Sequence, residues 1–237
     1  MLRFPRAEKS FWKIKIIETL IDAGYDVALV FAHKSIFSHA KFAYKLYGDK
    51  IFNSTKNLLN DKNNKPIYNY FKSRIKIIRV DGENSLKTEK EIRLLYPDLI
   101  LLLGTGIIRK NILDIPNIGV IHVHQGNLPY YRGVNTIEWS ILRDDSVYIT
   151  SHFVTPGIDM GNIILKKKIS ISSDDNINII REKCKNQTAD LIIRSVKLVM
   201  EENNEFTTQH PEEGKQYFEM HPFFKNLVEL KIKKNYE

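Results

Sequence analysis

Pro97-Asp98-Leu99-Ile100-Leu101-Leu102-Leu103-Gly104-Thr105-Gly106-Ile107-Ile108 is the stretch on which the fold reading turns. Its apolar core, residues 99–103, is too short for a helix and lacks the polar alternation of a strand with one wet face. It predicts a strand buried on both faces, as in parallel sheets covered by helices. Pro97-Asp98 ends whatever helix precedes it. The Gly-rich turn behind the strand lets backbone groups approach a ligand closely. Gly104-x-Gly106 lacks a third glycine and follows a late strand, so it is poor evidence for a dinucleotide site, and an ordinary strand-to-loop turn explains it equally well.

The same alternation extends outward. Residues 10–24 predict a helix, with Phe11, Ile14, Ile17 and Ile21 at helical spacing, Ser10 as cap and Gly24 as stop. Residues 27–31 predict a strand. The Lys-, Asn- and Tyr-rich stretch 35–73 predicts helices around 37–47 and 67–71, with a loop at 60–65. A strand at 75–80 and a helix at 86–96 follow. Downstream, strands are expected at 120–124, 147–154 and 163–171, and a helix at 134–142. A long helix capped by Ser173 or Asp174 is expected to reach Met200. Residues 201–237 are polar at first, then carry Tyr217, Phe218, Phe223 and Phe224, and are expected to pack along the surface. The pattern predicts an α/β, Rossmann-like fold with a mostly parallel sheet and helices on both faces. Residues 1–200 would be the catalytic domain and 201–237 a tail. Ligands in such sheets lie outside the carboxyl ends of the strands.

The composition narrows the class. With 237 residues, 43% hydrophobic and 27% charged, the chain is neither collagenous nor wholly disordered. No apolar run approaches a membrane span, and the N-terminus has no apolar core of a secretory signal. The single cysteine, Cys184, cannot form an internal disulfide, so a cytoplasmic location is expected. The net charge is +8. A solvated lysine surface accounts for it, and an anionic partner is the functional reading. The lysines are scattered among Asn and Asp rather than interleaved with aromatics, so neither a nucleic-acid module nor a membrane partner is expected.

Two further segments carry chemistry. In Ile121-His122-Val123-His124-Gln125-Gly126-Asn127-Leu128-Pro129-Tyr130-Tyr131-Arg132-Gly133, the two histidines are two apart on a strand and share a face. A lone buried histidine is commonly a core residue, but a pair at a strand end invites function. In His152-Phe153-Val154-Thr155-Pro156-Gly157-Ile158-Asp159-Met160-Gly161, a strand runs into a Pro-Gly turn presenting Asp159, which could equally cap its own backbone. Two imidazoles and a carboxylate suit acid–base work at an acyl centre. They also suit a two-His, one-carboxylate metal site, hence a metal-dependent hydrolase built on His122, His124 and Asp159. Nucleophilic catalysis fits poorly, because Cys184 falls inside a predicted helix and no G-x-S-x-G elbow is present.

The stretch from Pro97 to about Leu165 resembles the formyltransferase family that uses 10-formyltetrahydrofolate as co-substrate, and a looser resemblance extends over most of the chain. The family runs P-D-apolar-G, then N-x-H-x-[SG]-x-L-P-x-Y-R-G, then H-F-x-x-x-x-D-x-G. The matching residues are Pro97-Asp98, Gly104, His124, Gly126, Leu128-Pro129, Tyr131-Arg132-Gly133, His152-Phe153 and Asp159-x-Gly161. In length the chain is most similar to the nucleotide-sugar N-formyltransferases. The resemblance implies that an amine attacks the folate's formyl carbon, that His124 stabilises the oxyanion and takes part in proton transfer, and that Asp159 holds the histidine's charge state. It implies folate contacts at Gly104, Ile107, Ile108 and Arg109, and at Thr155, Pro156, Gly157 and Ile158. It implies contacts to the amine substrate, a phosphorylated or nucleotide-linked small molecule, at Asn127, Arg132 and Gly133, and no metal.

Two departures from the family pattern stand out. His122 occupies the position of the family's asparagine, which donates to the oxyanion; loss of such a donor typically costs about 10²–10³ in rate. His122 could substitute for it, alter the chemistry, or mark an inactive folate- or nucleotide-binding module. The family also opens with a short strand, whereas MLRFPRAEKS leads directly into the 10–24 helix. The expectation is a sheet lacking its first strand, through a late start or with segment 2–4 filling in. Homodimerisation through the tail is a further expectation without a dedicated motif.

Overall fold

The computed structural model describes residues 11–32, 65–201 and 204–235. The helix expected around 37–47, most of the 60–65 loop and segment 2–4 lie outside these residues. The chain divides into two compact units, residues 1–97 with 104–115 and residues 98–103 with 116–237.

In the first unit the apolar runs become α1 (Phe11–Asp22), β1 (Ala28–Ala32), α2 (Lys65–Phe71), β2 (Lys76–Val80), α3 (Leu86–Arg93) and α4 (Lys110–Leu113). β1 and β2 pair in parallel, with Leu29 opposite Ile77. Ile14 and Ile17 form one buried stripe of α1 and pack with Ile67 and Phe71, joined by Leu29, Phe31 and Ile77. Burying side chains of this size stabilises by about 1.5–3 kcal/mol each. Ser85 caps α3, its hydroxyl accepting from the Thr88 amide at 3.1 Å.

The second unit contains β3 (Leu99–Leu102), β4 (Gly119–His124), β5 (Tyr131–Gly133), α5 (Thr136–Leu142), β6 (Tyr148–Phe153), β7 (Ile163–Lys168), α6 (Ile177–Met200), β8 (Lys215–Tyr217) and α7 (Pro222–Asn235). The four-stranded sheet runs β3-β4-β6-β7. β3 and β4 are parallel, whereas β6 runs antiparallel to both of its neighbours, β4 and β7. Hydrophobic period does not encode strand direction, so the change from parallel to antiparallel pairing has no signature in the residues. Leu99–Leu102 are half-buried rather than sealed on both faces, with Leu99 and Leu101 packed against the Ile121 cluster. α6 begins after Asn176, not after Ser173 or Asp174: the Asn176 carboxamide oxygen accepts from the amides of Asn178 and Ile179, both at 3.0 Å.

Ile121 of β4 packs with Ile164 and with Val199 of α6, joined by Leu99, Leu101 and Phe153. Its neighbours His122 and His124 alternate with it: His122 lies on the opposite face, and His124, two residues on, shares that face. The antiparallel register sets His122 against His152, and His124 against Thr150. Directly opposed residues share a face, so three histidines gather on the side away from α6. The tail contributes two elements to this unit. β8 pairs in parallel with β5, and the Lys231 ammonium at α7 donates to the carbonyl of Leu142 at 2.8 Å. Among the described residues no helix is long and apolar enough to cross a membrane.

Candidate active site

Asp159 is where the site converges. It follows the Pro-Gly turn after β6 and adopts a left-handed backbone, φ +52°, a conformation Asp tolerates better than most residues. Its Oδ2 lies 3.4 Å from His124 Nδ1, and its Oδ1 lies 3.6 Å from His152 Nε2. The Gly133 amide donates to Oδ2 at 2.8 Å. The turn is held from behind by Gln209, whose Nε2 donates to the carbonyls of Asp159 at 3.0 Å and Gly161 at 2.5 Å.

Each imidazole has its tautomer set by a backbone carbonyl, because a carbonyl can only accept. His124 Nε2 lies 2.9 Å from the Tyr131 carbonyl and donates to it. Its Nδ1 is left facing Asp159. His152 donates from Nδ1 to the Phe153 carbonyl at 2.7 Å, leaving a buried Nε2 without a hydrogen-bond partner toward Asp159. His122 donates from Nδ1 to the Leu102 carbonyl of the neighbouring strand at 3.3 Å. The His122 and His152 rings meet edge to face at 5.9 Å, and those of His124 and His152 at 6.5 Å.

The charges follow from this packing. Burial disfavours an ionised Asp159, but His152 and His124, when protonated on the nitrogens that face it, and the Gly133 amide outweigh it and hold the carboxyl well below the usual carboxylate range. Burial depresses His124 despite the opposing pull of Asp159. Burial, reinforced by the imidazoles of His152 and His124, takes His122 down to about 4. The group is therefore a fixed carboxylate between two imidazoles, with a third, neutral imidazole beside them. A proton arriving at His124 Nδ1 is stabilised by Asp159, which suits acid–base chemistry. Among the described residues no group of three or more His, Cys, Asp or Glu is placed to hold a metal ion. His122, His124 and Asp159 form no such group. Cys184 is buried in α6, where burial pushes its thiol up to about 12.

The remaining predicted residues fall in distinct places. Asn127 is half-buried, and its Oδ1 accepts from Lys166 Nζ at 3.0 Å. Lys166 also lies over the ring of exposed Tyr130 at 5.6 Å. Arg132 is buried, and its guanidinium donates to the carbonyls of Pro211 at 2.8 Å and Gly214 at 2.6 Å. Gly133, at φ +96°, is pressed against the Tyr217 carbonyl where a Cβ would collide. Thr155, Pro156 and Gly157 are exposed, and Ile158 is half-buried. In the first unit, Gly104, Ile107 and Arg109 are exposed and Ile108 is buried. Asn84 organises that segment: its Nδ2 donates to the Ile107 carbonyl at 2.8 Å, and its Oδ1 accepts from the Arg109 amide at 2.7 Å.

Sequence reasoning missed Asn84 and Gln209 and gave His152 no role. The HF pair in the third motif was the one available signal for His152. Asn84 and Gln209 carry no local signal, because both act across long sequence separations.

An α/β fold with imidazoles gathered on a carboxylate at a strand end defines a class of acid–base sites, and comparison with known proteins narrows it. A family model described as formyl transferase matches residues 16–196. Methionyl-tRNA formyltransferase of Syntrophus aciditrophicus is 35% identical over 105 residues, 44% of this chain and 34% of that protein. The Clostridioides difficile protein of the same name is 28% identical over 202 residues, 84% of this chain and 60% of that protein. The chain thus spans less than two thirds of these relatives. Among solved structures, glycinamide ribonucleotide transformylase 1 from Symbiobacterium toebii aligns with TM-score 0.60 at 14% identity, over 84% of this chain and 89% of that one. The formyltransferase PseJ from Anoxybacillus kamchatkensis, solved with UDP-4,6-dideoxy-4-formamido-L-AltNAc and tetrahydrofolate, aligns with TM-score 0.51 at 22% identity, over 65% and 80%. At these identities the structures show a shared fold. The chain belongs to the formyl transferase family.

Proposed function

We propose that the protein transfers the formyl group of 10-formyltetrahydrofolate to a primary amine. The observation that carries this reading is Asp159 held between His124 and His152 in a chain of this family. The amine nitrogen adds to the formyl carbon, and a tetrahedral oxyanion forms. His124 stabilises that charge and takes part in proton transfer. Asp159 sets the histidine's charge state and helps deliver the proton that the departing folate nitrogen takes up. The folate contacts expected of Gly104, Ile107, Ile108 and Arg109, and of Thr155, Pro156, Gly157 and Ile158, belong to this proposal. So does the division into a catalytic domain, residues 1–200, and a tail.

The acceptor we favour is an amino-sugar nucleotide. The net charge of +8 suits a diphosphate, and Lys166 beside Tyr130 and Asn127 offers a cation and an aromatic face for it. Arg132 is left out of this role, since its guanidinium is bound to carbonyls inside the protein. The methionyl-tRNA formyltransferases among the relatives favour a second acceptor, the amine of methionyl-tRNA. The test is formylation with 10-formyltetrahydrofolate of a panel holding an amino-sugar nucleotide, glycinamide ribonucleotide and methionyl-tRNA. Formylation of the sugar alone supports the favoured acceptor. Folate binding without transfer to any member would instead identify a binding module.

A further inference from the structure

We infer that Gln209 is a positioning residue for the proposed transfer: from the tail it fixes the Asp159 turn, and with it the direction in which the carboxylate meets His124. This rests on the transferase reading above and deepens it.

Asp159 is left-handed, φ +52°, and a non-glycine residue stays in that region only where its surroundings hold it. The Asp159 carbonyl belongs to the peptide whose rotation is ψ of Asp159. Gripping that carbonyl therefore fixes the backbone from which the carboxylate projects. Gln209 Nε2 donates to it at 3.0 Å and to the Gly161 carbonyl at 2.5 Å. Two carbonyls converge on one nitrogen, and among uncharged side chains a carboxamide is the group that offers two hydrogens there. Gln209 is itself buried, 6% exposed. The end of the turn cannot give way, because Gly161 is pressed against the Phe153 carbonyl, where a Cβ would collide.

Gln209 is anchored on both sides. Thr207, two residues before it, exchanges backbone hydrogen bonds with Ile163 of β7 at 2.8 and 3.1 Å. After it, the carbonyls of Pro211 and Gly214 accept from the Arg132 guanidinium, and β8 pairs with β5. β5 in turn touches both members of the site. Its Tyr131 carbonyl accepts from His124 Nε2, and its Gly133 amide donates to Asp159 Oδ2 at 2.8 Å. Residues 207–217 thus grip the Asp159 turn at one end and, at the other, the strand that binds His124 and Asp159 together. Without the two Gln209 bonds the turn relaxes toward commoner backbone regions. The carboxylate then swings away from the Gly133 amide and from His124 Nδ1, which it meets at 3.4 Å.

Gln209→Met keeps the length of the side chain and removes both hydrogens. Hydrogen exchange at the Gly133 amide tests the placement without reference to activity, since that amide bonds the carboxylate and not Gln209. Relative to the amides of β4, it should exchange at least about 5-fold faster than in the wild type. In transfer, kcat should fall about 10²-fold, with KM for folate and amine unchanged. In Asp159→Asn, where the charge is already gone, the same replacement should cost less than about 3-fold in kcat. A merely structural glutamine would cost as much in both backgrounds. Gln209→Asn keeps the carboxamide but falls a methylene short, and it gives the same readouts should Gln209→Met not fold. In a folded variant, wild-type exchange at Gly133, an unchanged kcat, or equal losses in the two backgrounds would overturn the inference. Absence of any transfer by the wild type would sink the transferase reading, and exchange at Gly133 would still decide whether Gln209 places the carboxylate.

Discussion

Replacing His122 with Asn should flatten the acid limb of the protein's stability. An unfolded histidine titrates near 6.5, whereas folded His122 titrates at about 4. Between these values the unfolded state binds a proton that the native state refuses, so stability falls as pH falls. The stabilising contribution is present above pH 6.5 and is lost progressively down to about pH 4. At pH 4.5 the unfolded ring is almost fully protonated and the native ring about a quarter protonated, so the loss relative to pH 7 is about 2–3 kcal/mol. The carboxamide of His122→Asn does not titrate, so the variant would escape this part of the loss. Urea titrations of both proteins at pH 7.0 and pH 4.5 measure it directly. With a urea dependence of about 2–3 kcal/mol per molar, the drop in midpoint on acidification should be about 1 M smaller in the variant. Equal drops in the two proteins would refute the reasoning, because they would mean that folding leaves the basicity of His122 unchanged.

Three further outcomes are expected. Gly126→Ala would put a Cβ into the His124 ring and 2.8 Å from the Tyr131 carbonyl; transfer should fall by at least about 10²-fold, with a stability loss of about 1–3 kcal/mol, checked by kcat and urea midpoint together. Asp159→Asn keeps an acceptor for the Gly133 amide but removes the charge beside His124; kcat should drop by about 10²–10⁴ while the circular dichroism spectrum is retained. Asn84→Ala removes both side-chain bonds to the 107–109 backbone; hydrogen exchange at the Arg109 amide should accelerate, at a global cost of about 1–2 kcal/mol.

Much of the fold was legible because apolar runs and capping residues are local signals. The strands at β1, β2, β3, β4, β6 and β7 and the helices α1, α3 and α6 fall, to within a residue or so, in the segments read from the sequence. β5 and β8 were not legible. Each is three residues long, and Tyr131 pairs with Lys215 from far along the chain. The cap of α6 moved to Asn176 because several capping residues stand in a row, and only geometry chooses among them. For the site, the His-x-His spacing placed two rings on one face, and the third motif contained both Asp159 and His152. The joining of His152 to the cluster depends on antiparallel register, which pairs it with His122 and which no residue pattern encodes. Gln209 reaches Asp159 from the tail, and the tautomer of His122 depends on a carbonyl of a neighbouring strand. Neither is a property of local sequence.

The central claim is formyl transfer from the folate to an amine by a site built on His124 and Asp159. It is tested most directly by single-turnover transfer of labelled formyl from 10-formyltetrahydrofolate to the acceptor panel, comparing wild type with His124→Ala. The account predicts labelled formamide with the wild type and its loss in the variant, with the urea midpoint showing that the variant is folded. Full transfer by folded His124→Ala, or no labelled formamide from the wild type with any amine, would contradict it.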